Sequence, residues 1–203
     1  NLPVAVTVHD DSASGAMFGG GCLDLMGDQI VPDQVLGTEY VAIHGYLGGD
    51  DRLQIVATEN NTTVTVDGAT VATLQAGQSH SHTLNTPSAF IEASAPVAIW
   101  QSTGFGCELG GAQLPSVKCT GSTSTVFVRS TSETMRLNIL VPNGGQGDFL
   151  FNGNAGVINA GNFAVVPGNT DWMFAQVTTL EGQIPVGEAT RMENTSTPFH
   201  LGI

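Results

Sequence analysis

The residues best suited to chemistry in this chain are oxygen donors set in turns. Asp10, Asp11, Asp24 and Asp28 surround a first Gly-rich stretch, and Asp50-Asp51 follows Gly48-Gly49. Calcium takes about six to eight oxygen ligands, and carboxylates in tight turns supply them. The competing reading is ordinary Asp turn chemistry with no ion. Other candidates are fewer. His80 and His82 stand two apart, on one face of an expected strand, but no third ligand accompanies them, and exposed strand histidines account for the pair. Trp100 and Trp172 are the only tryptophans. An aromatic ring can serve as a platform for a sugar, or simply pack a sheet. Gln29 with Pro32, and Gln113 with Pro115, recur at matching places. A Gln that satisfies loop backbone, followed by a turn-ending Pro, explains both pairs as structural loop residues.

Catalytic signatures are missing from this inventory. There is no Gly-x-Ser-x-Gly elbow, no His-Glu-x-x-His and no phosphate-cradling Gly-Lys motif, so the expectation is a non-enzymatic chain with no catalytic residues. No cofactor is expected beyond the calcium option, and no metal site stands out. With 18 acids against five Lys/Arg and a net charge of −13, the chain has no basic cluster to meet a phosphate backbone, which excludes nucleic acid as a partner. The acid is uneven: residues 1–101 carry net −10 and residues 102–203 net −3. A solvated acidic surface explains this excess as well as a calcium site does.

Three cysteines leave one over. Cys107 and Cys119 are close and flanked by Gly, which suits a local disulfide in an oxidising compartment, worth roughly 3 kcal/mol for a loop of that size. Cys22 is then free or bonded outside the chain. No apolar run is long enough to span a bilayer, so no membrane insertion is expected. The chain opens as a strand, Pro3-Val4-Ala5-Val6, so any export signal would lie upstream.

Positioning these residues falls to a duplicated set of strands. Gly21-Cys22 recurs as Gly106-Cys107, Gln29 with Pro32 as Gln113 with Pro115, Arg52-Leu53-Gln54-Ile55 as Arg136-Leu137-Asn138-Ile139, and Asp67-Gly68 as Asn152-Gly153. The offsets are 83 to 85 throughout. Pro3-Val4-Ala5-Val6, Pro96-Val97-Ala98-Ile99 and Pro198-Phe199-His200-Leu201 give a third phase of one strand. Residues 1–101 are therefore expected to form a first β repeat with an N-terminal Gly-rich loop. Residues 102–203 form a second, ending on a strand equivalent to 3–8 and 96–101.

Alternating Thr63-Val64-Thr65-Val66 before Asp67-Gly68 predicts a hairpin returning over Val71–Leu74. Its counterpart is Phe149–Phe151, Asn152-Gly153 and Val157-Ile158. Further short strands are expected at 39–44, 53–58, 79–84, 90–93, 96–101, 125–130, 136–141, 163–166 and 173–178. The fold class is all-β: two tandem β-sandwich-like repeats. The Gly-rich, cysteine-bearing stretches 10–33 and 103–121 are expected as loops covering sandwich ends.

The stretch Gly21-Cys22-Leu23-Asp24-Leu25-Met26-Gly27-Asp28-Gln29-Ile30-Val31-Pro32, followed by Gly37-Thr38-Glu39-Tyr40, resembles the repeat of the IgGFc-binding-protein N-terminal domain family. So do Gly106-Cys107-Glu108-Leu109-Gly110-Gly111-Ala112-Gln113-Leu114-Pro115 and Ala57-Thr58-Glu59-Asn60-Asn61-Thr62-Thr63-Val64. The resemblance covers nearly the whole chain and is closest to the acidic bacterial surface and adhesion branch. Cys119 has no counterpart near Val35, so the pairing of Cys22 stays open. The resemblance implies a secreted or cell-surface, non-catalytic binding or structural module of a large adhesion protein. Its partners would be neighbouring repeats or identical subunits, or host or environmental glycans and glycoproteins. A filament subunit joined by β-strand addition through Pro3–Val8 and Pro198–Ile203, and a carbohydrate-binding domain, are the alternatives. Asn60, Asn61 and Asn194 open glycan-acceptor triplets.

Overall fold

The computed structural model describes residues 6–14, 22–118, 120–178 and 180–202. Cys119 and the segments 1–5 and 15–21 lie outside the described residues. Among the described residues every regular element is a strand or a short 3-10 turn. The chain divides into two compact units, residues 1–118 and 119–203. The boundary expected between 101 and 102 thus falls inside a strand of the first unit.

The first unit contains β1 (Val6–Ser14), β2 (Leu23–Ile30), β3 (Gly37–Ile43), β4 (Tyr46–Leu47), β5 (Asp51–Ala57), β6 (Thr62–Val66), β7 (Ala69–Leu74), β8 (Ser79–Leu84), β9 (Ser88–Gly106) and β10 (Glu108–Gln113). β5 alternates buried and half-exposed residues, the period of a strand with one face in the core. β9 organises the sheet. Its first half pairs with β3 and β6, its second with β5 and β10, so one strand passes from one layer of the sandwich to the other. The sequence reading placed two strands here, breaking at Pro96. The chain does turn there, but pairing resumes at once because Val97 faces both Gly37 and Ala57. A strand that changes sheets makes such a corner. Leu53, Ile55, Val64, Ile91, Val97 and Ile99, all fully buried, fill the space between the layers.

Tyr40 ties this corner together. Its hydroxyl donates to the Val97 carbonyl at 2.5 Å and accepts from the Gly37 N–H at 2.9 Å. Burial holds the phenol above its ordinary pKa, partly opposed by the Gly37 hydrogen bond.

The second unit contains β11 (Ser124–Val128), β12 (Leu137–Pro142), β13 (Phe149–Phe151), β14 (Asn154–Ala155), β15 (Ala164–Val165), β16 (Trp172–Val177), β17 (Ala189–Asn194) and β18 (His200–Gly202). These form two four-stranded sheets, β11-β17-β13-β14 and β15-β16-β12-β18. Leu137, Ile139, Phe149, Ile158, Ile184, Met192 and Phe199 pack between them. Phe149 stacks on Phe163 and meets Phe199 edge-on, with centroids 5.5 and 5.2 Å apart.

Both expected hairpin turns form with left-handed residues: Asp67 and Gly68 have φ of 50° and 81°, Asn152 and Gly153 50° and 79°. Two positive φ values define the tight turn whose twist matches paired strands. The return strand after Asn152-Gly153 is Asn154–Ala155, not Val157–Ile158. Ile158 turns into the core instead.

The Gly-rich stretches expected as loops are largely strands. Val6–Ser14 and Leu23–Ile30 make the hairpin β1–β2, and β9 runs on through Gly106 into β10. Low hydrophobicity hid them. Gly and Asp are poor strand formers, and these strands are held by edge pairing and side-chain hydrogen bonds, with little core of their own.

Candidate functional site

The described part of the first Gly-rich stretch lies beside the second. Cys22 is bonded to Cys107, with Cα atoms 5.4 Å apart. This corrects the expected Cys107–Cys119 bridge: the cysteine nearest in sequence is not the one the fold presents. The Asp24 carboxylate accepts from the Leu109 N–H at 2.7 Å, and the Asp28 carboxylate from the Gln113 N–H at 3.2 Å. The Gln113 side-chain oxygen accepts in turn from the Val31 N–H at 3.2 Å. Cys22 with Cys107, Asp24 with Leu109 and Asp28 with Gln113 are each 85 apart, so β2 runs parallel to β10 in a fixed register. Aspartates on β2 satisfy edge N–H groups that no strand pairs.

Held this way, the hairpin forms one wall of a groove of about 550 Å³. Val8, Met26 and Ile30 line it from the hairpin, and Val56, Ala98 and Trp100 from β5 and β9. The Trp100 indole packs against Gly111, where a Cβ would stand 2.7–2.8 Å from ring atoms, so only glycine at 111 leaves the ring its seat. Gln113 also lines the groove, and its side-chain nitrogen is buried without a hydrogen-bond acceptor. The groove is therefore a mostly apolar slot with Trp100 and one spare donor in its lining, and Asp10 and Asp28 are among the residues around it. No Lys or Arg lines it.

The remaining sequence candidates scatter. Asp10 and Asp11 accept locally from the Ser12 N–H and hydroxyl. Asp51 is fully buried and accepts from the Gly45 N–H at 2.8 Å and the Gln101 amide at 2.6 Å, while Asp50 is exposed. Asp24 and Asp28 are committed to β10. The structure does not bring the six aspartates into one cluster. Among the described residues the one group of three potential ligands is Cys22, Cys107 and Glu108, whose sulfurs are bonded to each other. Trp172 sits edge-on to His200 at 6.1 Å in the second unit. Burial holds the His200 imidazole below its ordinary pKa. His80 and His82 share the same face of β8, rings 6.3 Å apart. Burial chiefly, then the neighbouring His80, lowers the His82 pKa, with Asp67 opposing. Gln29 is exposed on β2, Pro32 precedes the 3-10 turn Asp33–Val35, and Pro115 follows β10.

The sequence reading missed Met26, Val56 and Gly111 as site residues. Alternation over Leu23–Ile30 was the available signal, masked by its glycine and aspartates.

The fold is all-β, with a disulfide-clamped hairpin standing over a groove that Trp100 lines. The family comparison agrees with it: the model described as IgGFc binding protein matches residues 1–203, and the chain belongs to that family. No curated protein and no solved structure matches the chain.

Proposed function

We propose that the chain is a non-catalytic, extracellular binding module of a larger surface or adhesion protein, and that it takes its ligand in the groove over Trp100. The groove itself carries this reading. It is concave, mostly apolar and largely pre-formed, with few polar groups to fix orientation, which is the build of a binding site. Family membership supports a protein or glycoprotein as ligand. The disulfide supports an oxidising, extracellular setting. No described helix is long and apolar enough to cross a membrane.

Binding of the intact chain to immobilised mucin-type glycoproteins and immunoglobulin tests the reading, with Trp100→Ala as the partner variant. Binding that Trp100→Ala weakens at least about tenfold is the expected result. Equal binding by the variant, or carboxylate-dependent hydrolysis of the glycoprotein, overturns it.

A second reading, an array of like units, has its own support. Asp67 and Asn152 do the same work. Each N–H donates to a carbonyl at 2.8 Å, of Phe90 and of Arg191, and each side-chain oxygen accepts that residue's N–H at 2.8 Å. Strand order β3-β9-β6-β7 in the first unit has its counterpart in β11-β17-β13-β14 in the second. On this reading the chain is two tandem copies of one sandwich-like unit.

A further inference from the structure

The two walls of the groove over Trp100 differ in chemistry. On the hairpin, strand alternation puts Val8 and Asp10 of β1 and Met26 and Asp28 of β2 on the face that lines the groove. The β1–β2 register sets Val8 opposite Asp28 and Asp10 opposite Met26. Both cross-strand pairs thus join an apolar residue to an acid. The facing wall is uncharged: Val56 pairs with Ala98, and Gln54 with Trp100.

Hydrogen-bonding capacity in the groove is nearly spent. The two Asp28 oxygens accept from the N–H groups of Gln29 and Gln113, at 2.7 and 3.2 Å. The Gln113 side-chain oxygen accepts from the Val31 N–H, and the Gln54 amide nitrogen donates to Ser81 Oγ at 3.0 Å. Asp10 accepts with one oxygen from the Ser12 N–H at 2.9 Å, and its other oxygen has no partner among the described residues. A sugar ring seated here would bury several hydroxyls with few groups left to bond them, and each hydroxyl stranded costs about 1–3 kcal/mol. The lining offers apolar contact and negative charge instead.

We propose that the groove takes an extended, basic and apolar segment of a partner protein. Its aliphatic or aromatic side chains lie between Met26 and Trp100, and its Lys or Arg heads meet Asp10 and Asp28. Charge complementarity selects this occupant: no Lys or Arg lines the groove, and the first unit carries twelve acids against two bases. A long basic side chain lays its apolar stem along such a lining and holds its charge at the acid. Like charge rejects an acidic segment, and it rejects a second copy of this chain, an anion of net −13. The inference rests on the proposed function in placing the ligand in this groove, and adds that the groove reads the protein part of a glycoprotein, not its glycan.

Short, end-capped, dye-labelled peptides added to the intact chain test it by fluorescence anisotropy, with alternating Lys-Leu, Glu-Leu and Lys-Ser sequences as the probes. The Lys-Leu peptide is expected to bind at least about tenfold tighter than the other two and to displace the immobilised glycoprotein or immunoglobulin. Asp10 is exposed, so its variants leave the core alone. With circular dichroism unchanged, Asp10→Asn is expected to narrow the preference for Lys-Leu over Glu-Leu, and Asp10→Lys to abolish it. No binding by the Lys-Leu peptide, or equal binding by Lys-Leu and Glu-Leu, overturns the inference. Self-association that Trp100→Ala removes also overturns it, in favour of a second copy as occupant. Displacement of the glycoprotein by free mucin-type oligosaccharides, or loss of its binding on enzymatic deglycosylation, overturns this inference alone, provided Trp100→Ala still weakens binding. Glycoprotein binding indifferent to Trp100→Ala overturns the groove reading and this inference with it, so the two failures are told apart.

Discussion

Tyr40 shows how much of the first unit rests on one side chain. Its ring fills the core and its hydroxyl joins the Gly37 N–H to the Val97 carbonyl, where β9 changes layers. Tyr40→Phe keeps the ring and strands a partly buried N–H, so a loss of about 1–3 kcal/mol is expected in denaturant unfolding. The pH dependence has a definite sign. Burial raises the folded-state pKa above the ordinary 10.0. The folded protein therefore holds its phenolic proton more tightly than the unfolded chain does. The stabilisation is complete below pH 10 and is lost as pH climbs through the folded pKa. A wild-type stability that falls across that alkaline range, with a flatter slope in Tyr40→Phe, is the expected outcome; parallel slopes would show that other groups govern the loss. At this scale the sequence spoke clearly about turns and poorly about partners. Asp67-Gly68 and Asn152-Gly153 announce their own backbone, because few residue pairs tolerate two positive φ values. Cysteine pairing depends on which strands the fold lays side by side, and spacing along the chain carries no record of that.

Among the elements, the hairpin β1–β2 is the one with least core of its own. Leu23 and Leu25 are 70% and 71% exposed, and what fixes the hairpin is the Cys22–Cys107 bond with the Asp24, Asp28 and Gln113 hydrogen bonds. A bridge spanning 85 residues contributes about 4.6 kcal/mol by restricting the unfolded chain. Reduction, or Cys22→Ser with Cys107→Ser, is expected to act on the hairpin first. In hydrogen exchange read by mass spectrometry, peptides from Val6–Ser14 and Leu23–Ile30 lose protection while β5 and the first half of β9 keep theirs. Loss of protection throughout the first unit at once would instead make the bridge a support of the whole sandwich. The strands legible in the sequence were those with β-branched alternation, such as Thr62–Val66 and Asp51–Ala57. β2, β10 and the part of β1 beyond Val8 were not, since their pairing is secured by bonds between segments far apart in the chain. The groove they enclose was illegible for the same reason, although Trp100 was visible as a candidate.

Charge acts on the molecule as a whole. The first unit carries twelve acids against two bases and the second six against three, so every copy is an anion of net −13. Two such copies repel at long range, and the hairpin brings Asp10 and Asp11 with it to any partner. Salt screens such fields over about 10 Å at 0.1 M. A cationic glycoprotein or protein seated in the groove is therefore expected to bind several-fold more weakly at physiological ionic strength than at low salt, because its attraction to Asp10 and Asp28 is what salt removes. Ligand titration repeated at both ionic strengths checks this. Affinity indifferent to salt would instead place the hold in the apolar lining around Trp100, since no Lys or Arg lines the groove.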